Sequence, residues 1–131
     1  MSKVYDFLNE AGVFYLATAD GAQPKVRPLG LVLELDGKVM FGVGDFKDVY
    51  KQLQADPLVE IVAAKPDGNW LRYTGKAVFE TDPKYSEAAL EASPNLKSVY
   101  NEETGNKLAM FHLEDAEAVV IPVMGKGESI L

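Results

Sequence analysis

The chain contains two arginines, and one of them stands in Lys25-Val26-Arg27-Pro28-Leu29-Gly30, within a stretch that reads as a long strand. After a hairpin comes Gly44-Asp45-Phe46-Lys47-Asp48-Val49-Tyr50-Lys51-Gln52-Leu53, which reads as a turn opening a helix. A guanidinium fixed on a strand, with a lysine in the first turn of the next helix, is an arrangement suited to a doubly charged phosphate ester. The planar fork supplies paired N–H donors, and the helix start adds its own free backbone N–H groups. Arg27 alternates with Val26 and Pro28, so its side chain faces opposite to theirs. The ordinary reading stands beside the functional one: a surface arginine paired with a carboxylate, and a solvated helix lysine.

The composition narrows what else the chain can do. A formal charge of −7 with no compensating basic run gives no general affinity for nucleic acid or anionic membrane, so an anionic ligand must meet a local basic pocket. There are no cysteines, which excludes disulfides, thiolate metal sites and cysteine nucleophiles. The single His112 alternates with Phe111 and Leu113 and is expected to be structural; alone it makes no metal site. Ser86, Ser93 and Ser98 lack a glycine-flanked nucleophile turn. Gly42-Val43-Gly44 lacks the third glycine and the βαβ setting of a dinucleotide fingerprint. Serine hydrolase and Rossmann dehydrogenase chemistry are therefore set aside. No charged start with an apolar run, and nothing near the roughly 18 apolar residues of a membrane span, makes a cytoplasmic protein the expectation.

The elements that must position Arg27 and Lys47 follow from periodicity. With 131 residues, 47% of them hydrophobic, the chain is expected to form one domain over its whole length, residues 1–131. Val4, Phe7 and Leu8 fall at helical spacing between Ser2, a candidate N-cap, and Gly12, a candidate stop. Val13 to Ala19, Val26 to Leu35 and Lys38 to Val43 read as three antiparallel strands turning at Asp20-Gly21 and Asp36-Gly37. Asp45 is the expected cap of a helix with Val49, Tyr50 and Leu53 on one face, stopped by Asp56-Pro57. Leu58 to Ala64 and Asn69 to Glu80 form the next strand pair. Asp82-Pro83 opens a helix to about Ala92, and Ser93-Pro94 a short one to about Tyr100. Leu108 to Leu113 and Ala116 to Val123 read as two closing strands interrupted by Glu114-Asp115, followed by a tail from Gly125 that is loose or docked on a partner. Six or seven strands with short helices and no βαβ alternation predict a mainly β (α+β) domain, a closed or nearly closed antiparallel barrel.

In order and spacing, several of these segments together resemble a known family. They are Phe14-Tyr15-Leu16-Ala17-Thr18-Ala19-Asp20-Gly21, Val26-Arg27-Pro28, Lys47 with Gln52-Leu53, Asp56-Pro57-Leu58-Val59-Glu60, and Trp70-Leu71-Arg72-Tyr73-Thr74-Gly75-Lys76-Ala77. From about Val4 to Val123 the chain resembles the flavin-mononucleotide (FMN)-binding split-barrel proteins related to pyridoxamine 5'-phosphate oxidase, especially the short members. The resemblance implies a split antiparallel β-barrel with short flanking helices, working as a homodimer with FMN between the subunits.

It also implies roles for particular residues. Arg27 and Lys47 would hold the flavin phosphate, while Pro28, Leu29 and Gly30 would lie beside the ribityl chain and ring. Phe41, Gly42, Val43 and Gly44 would line the flavin edge, although a plain strand end and turn explains them equally well. Trp70 would stand near the ring, often across the dimer interface, with a buried core tryptophan as the alternative. For Arg72 an ion pair with Glu60 is preferred over a ligand role. Asp45 departs from the hydroxyl and basic residues that larger relatives carry in this turn, and is tolerable beside a phosphate only if it points away as a cap.

A true pyridoxamine-phosphate oxidase is disfavoured, because Trp70 is the sole tryptophan and only Lys126 is basic after Val123. What the resemblance implies instead is a small flavin-dependent reductase, passing electrons from a nicotinamide donor to a quinone, nitro compound or other small acceptor. The alternatives are a non-enzymatic FMN-binding or electron-carrying protein, and a barrel that takes deazaflavin or haem or has lost ligand binding altogether.

Overall fold

Twelve elements follow one another in the computed structural model, which describes residues 2–131. Helix α1 (Lys3–Ala11) is capped by Ser2, whose hydroxyl accepts from the backbone N–H of Val4 and Tyr5 at 3.2 and 3.3 Å. Gly12 ends it at φ +81°, a conformation that costs glycine little. Its apolar stripe of Val4, Phe7 and Leu8 is buried. Next come β1 (Phe14–Asp20), β2 (Gln23–Leu29), β3 (Val32–Leu35) and β4 (Lys38–Gly44), then α2 (Asp48–Ala55), β5 (Leu58–Ala64) and β6 (Trp70–Glu80). Helix α3 (Pro83–Ala92), a 3-10 helix (Pro94–Ser98), β7 (Leu108–Ile121) and β8 (Glu128–Ser129) complete the chain.

The strands form one antiparallel sheet in the order β2-β1-β5-β6-β7-β4-β3, with the short β8 added to β7. Its two end strands, β2 and β3, are consecutive in the chain and joined through Gly30 and Leu31, but they do not pair. The sheet therefore curls towards a barrel that stays split at that link. β2 has a strand on one side only, so Pro24 and Pro28 can sit within it only where their missing N–H would face the free edge. The two prolines also blunt that edge against pairing with another chain.

The predicted strand from Val26 to Leu35 is thus two strands, broken at Gly30-Leu31 where the chain changes from one end of the sheet to the other. Conversely, the two predicted closing strands are one, β7, which runs through the interruption. Asp115 takes a positive φ of 51° there, and the register slips opposite Gly75, between Thr74 and Lys76. A β-carbon on Gly75 would lie 3.0 Å from the carbonyl oxygen of Glu114, so the bulge needs glycine on the facing strand. The tail after Gly125 docks on its own chain: β8 pairs with Val119 and Val120, and the N–H of Ile130 donates to the Ala118 carbonyl at 3.0 Å. The Asp36-Gly37 turn has both residues at positive φ, 56° and 72°, as a two-residue hairpin requires.

The main core fills the inside of the curled sheet. Phe14, Leu16, Phe41, Ile61, Leu71 and Phe111 are all fully buried there. Phe41 is at its centre, with ring centroids 5.6 Å from Phe14, 5.6 Å from Phe111 and 6.3 Å from Tyr73. On the other face of β4 and β7, α3 adds a second layer in which Tyr85 and Ala89 pack on Met40, Leu108 and Met110. β4 is consequently buried on both faces. Truncating the central ring, Phe41→Ala, should cost about 3–5 kcal/mol of folding stability, measured by urea denaturation; a loss below about 1 kcal/mol would mean that Phe41 lies at a surface and not in the core.

Candidate functional site

The split between β2 and β3 is where the inner face of the sheet is open, and a cleft of about 730 Å³ occupies it. β2 contributes Lys25, Arg27, Pro28 and Leu29, the link contributes Gly30 and Leu31, and β4 contributes Gly42, Val43 and Gly44. The start of α2 supplies Lys47, Asp48, Val49 and Gln52, and the segment after α3 adds Ser93, Asn95, Leu96 and Tyr100. Asp20 at the end of β1 and Leu108 at the start of β7 complete the wall. Three cations and two carboxylates thus face one cleft in a protein of net charge −7.

Arg27 is the best-anchored of the cations. Cross-strand pairing sets it opposite Leu16, so its side chain lies on the inner face and turns back over β1. Nη1 donates to the Leu16 carbonyl at 3.1 Å and to Thr18 Oγ1 at 2.7 Å, while Nη2 donates to Gln52 Oε1 at 2.7 Å. The Thr18 hydroxyl donates to the same Gln52 oxygen at 2.6 Å. Thr18 and Gln52 are both buried. Burial lowers the pKa of Arg27 from its ordinary value, yet a guanidinium remains a cation at neutral pH. Among the described residues it makes no ion pair, whereas Lys38, Lys65, Arg72 and Lys84 all do. The ordinary reading of Arg27 as a surface arginine paired with a carboxylate therefore does not describe this protein.

Lys47 differs slightly from its expected place. Helix α2 begins at Asp48, so Lys47 is the N-cap residue, and its side chain caps no backbone N–H. The predicted cap, Asp45, does something else: its carboxylate accepts from the Lys107 N–H at 3.0 Å, and its own N–H donates to the Lys107 carbonyl at 2.9 Å. Asp45 is thereby turned away from the helix start, where the exposed Lys47, with Asp48 and Val49, lines the cleft.

Eight of the ten residues singled out from sequence come together here: Arg27, Pro28, Leu29, Gly30, Gly42, Val43, Gly44 and Lys47. Phe41 and Trp70 do not line this cleft. The Phe41 ring points into the core from the opposite face of β4 to its glycine neighbour, and Trp70 begins β6 under Arg72, whose guanidinium carbon is 5.0 Å from the ring centroid. Arg72 also meets Glu60, Nε to Oε2 3.4 Å, as expected. His112 lies outside the cleft between two carboxylates. Its Nε2 is 3.1 Å from Glu114; its Nδ1 is 3.1 Å from Glu80 but makes no hydrogen bond.

Sequence reasoning missed Lys25, Gln52, Ser93, Asn95, Leu96 and Tyr100 as lining residues. Two of these carried a signal. Lys25 is two residues from Arg27 on the same strand face, and Gln52 interrupts the apolar stripe of Val49 and Leu53, which marks a buried amide in need of a partner. The segment from Ser93 to Tyr100 arrives by tertiary packing alone. Tyr100 stacks near Phe46, centroids 6.2 Å apart, over the backbone of Gly44. Burial, and then the charge of Asp45, raise the pKa of the Tyr100 hydroxyl.

Comparison with known proteins places this geometry among relatives. Residues 1–118 match the family model described as pyridoxamine 5'-phosphate oxidase. No curated protein sequence matches. Among solved structures, a NimC/NimA family protein from Clostridium acetobutylicum is 37% identical with a TM-score of 0.89, covering 98% of this chain and 89% of that one. A heme-binding protein from Mycobacterium smegmatis is 19% identical with a TM-score of 0.70, over 98% of this chain and 57% of its own. An FAD-binding protein from Mesorhizobium loti is 16% identical with a TM-score of 0.62, over 92% and 96%. At those two identities the likeness is one of fold.

The mouth of the cleft has its own test. A β-carbon on Gly44 would fall 2.7 Å from the Tyr100 hydroxyl and 2.8 Å from the Phe46 ring, both far ends of movable side chains. Gly44→Ala should therefore displace the Phe46–Tyr100 pair and change the near-UV circular dichroism, at a stability cost near about 1 kcal/mol, the low end for overpacking. An unchanged aromatic spectrum would show that this pair does not rest on Gly44.

Proposed function

The chain belongs to the pyridoxamine 5'-phosphate oxidase family, and we propose that it binds FMN in the cleft at the split and works as a small flavin-dependent reductase. The observation that carries this reading is Arg27: a half-buried, oriented guanidinium with no carboxylate partner among the described residues, beside Lys25, Lys47 and a helix start without a side-chain cap. Such a group suits the phosphate end of FMN. The rest of the wall fits the remainder of the cofactor. Pro28, Leu29, Leu31, Val43 and Leu108 are apolar, Gly30, Gly42 and Gly44 let a ring approach the backbone, and the volume lies within the range of small-molecule sites.

Bound FMN supplies the electron transfer from a nicotinamide donor to a quinone, nitro compound or other small acceptor. The chain's own residues have simpler work. Arg27 and Lys47 anchor the phosphate, the apolar strand ends exclude water from one side of the ring, and Tyr100 with Asn95 borders the space where an acceptor would approach. No acid or base is required of the protein for that exchange.

We place the second wall of the site on another copy of the chain, in a homodimer with flavin at its interface. Support comes from the outward face of the sheet, where Pro28, Tyr15 and Val62 lie side by side across β2, β1 and β5. Tyr15 and Val26 on this face are 47% and 65% exposed, and Leu58 on β5 is 67% exposed. An apolar patch of this kind beside a cleft is the mark of an interface.

Concentrated protein incubated with FMN and freed of excess by gel filtration should stay yellow at about one flavin per chain. A Soret band or a colourless protein would replace FMN with haem or with a colourless ligand. Arg27→Ala and Lys47→Ala should each weaken FMN by about tenfold or more while leaving riboflavin, which lacks the phosphate, nearly unchanged; equal losses for both ligands would sink the phosphate assignment. For the dimer, sedimentation should give twice the chain mass, and Val26→Asp should shift it towards the monomer, because a buried unpaired carboxylate is costly. A wild-type monomer in the presence of FMN would overturn this part of the reading.

A further inference from the structure

A guanidinium has five N–H bonds in one plane. They fall on two usable edges: an end edge made by the facing hydrogens of Nη1 and Nη2, and a side edge made by Nε–H and the outer hydrogen of Nη2. In Arg27 both Nη1 hydrogens are taken, by the Leu16 carbonyl and Thr18 Oγ1. Gln52 Oε1 takes one Nη2 hydrogen and is itself tied to Thr18 Oγ1 at 2.6 Å, so Thr18 and Gln52 form a joined pair of acceptors across the end edge. Nε–H and the outer Nη2–H have no partner among the described residues, and together they are the geometry that meets two oxygens of a phosphate.

All three acceptors are neutral. In a chain with 20 acidic residues against 13 lysines and arginines, a carboxylate at position 52 would orient the guanidinium as well and more strongly. It would also cancel the charge. Glutamine and threonine fix the orientation without neutralising the cation, and their burial keeps water from competing for the same edge.

We infer that Thr18 and Gln52 are positioning residues: they lock the end edge of Arg27 so that its side edge is presented, still fully charged, to the phosphate monoester of the ligand. The inference rests on the phosphate reading of the cleft and adds to it the two residues that make Arg27 selective for a phosphorylated flavin over the same flavin without phosphate.

The test compares FMN with riboflavin for each variant by fluorescence titration, with thermal unfolding followed in parallel. Thr18→Val and Gln52→Leu should each lower FMN affinity about tenfold relative to riboflavin, and Thr18→Ser, which keeps the hydroxyl, should restore the wild-type ratio. Gln52→Glu is the decisive variant. It keeps the acceptor and gains an ion pair, so a merely structural role predicts a stable protein with unaltered FMN binding; the positioning role predicts a stable protein that has lost its preference for FMN. A Gln52→Glu protein that binds FMN as the wild type does would overturn the inference, as would equal losses of FMN and riboflavin in all the variants. Arg27→Ala separates the two levels: if it weakens FMN and riboflavin equally, the phosphate reading falls, and if it weakens FMN alone while the Thr18 and Gln52 variants behave as wild type, only the positioning inference falls.

Discussion

The organisation of this protein follows from one unmet pairing. Strands β2 and β3 are the two ends of the sheet and neighbours in the chain, and a link as short as Gly30-Leu31 carries the backbone between them without a hydrogen bond from strand to strand. A ring that closed there would bury its interior completely. By staying open it leaves the inner face of β2, with Lys25 and Arg27, in contact with solvent instead of core. The prolines of β2 keep the free edge from recruiting a stray strand, and the double burial of β4 holds the opposite side of the gap in place. The cleft is therefore a consequence of topology, and the side chains that line it are those the split exposes.

What the split exposes must then be kept charged without being made unstable. Burial of part of Arg27 disfavours its charged form, and the protein answers with three hydrogen bonds to neutral oxygens instead of an ion pair. Elsewhere on the molecule the lysines at positions 38, 65 and 84 and Arg72 have settled on carboxylates, as surface cations in an acidic protein readily do. Asp45 follows the same logic from the other sign. Its reciprocal hydrogen bonds with the Lys107 backbone hold a carboxylate away from the helix start, so the N-terminal dipole of α2 and Lys47 act on the cleft together.

The sequence made the elements legible wherever a local rule governs them. Ser2 and Gly12 bracket α1, Asp36-Gly37 forces a tight hairpin, and Asp82-Pro83 opens α3, because capping and turn chemistry act over a few residues. It was less legible where pairing at a distance decides. Gly30-Leu31 looks like strand interior until the two flanking strands are seen at opposite ends of the sheet, and Glu114-Asp115 looks like a break until Gly75 is seen facing it. The site divides in the same way. Arg27 and Lys47 could be read because a strand and the next helix start place them in order along the chain, whereas Lys25 was passed over, and family resemblance added the strand-end glycines. The alternation along β4 that buries Phe41 while its glycine neighbours reach the cleft was visible in principle as a period of two, and was blurred because β4 is buried on both faces. Nothing local could have announced Tyr100 or Asn95.

A site of this kind asks little of the protein in chemical terms. The cleft joins an oriented cation and a helix start at one end with apolar strand ends and bare glycine backbone along its length, and it contains no histidine, cysteine or metal ligand set among the described residues. Binding energy here would come from the phosphate, while selectivity among acceptors would depend on what borders the exposed side of the ring. On the proposed reading that border is the segment from Ser93 to Tyr100, a part of the wall outside the strands. On the same reading, acceptor preference can therefore change through this segment and the proposed partner surface, without disturbing the strand, helix and neutral acceptor pair that hold Arg27.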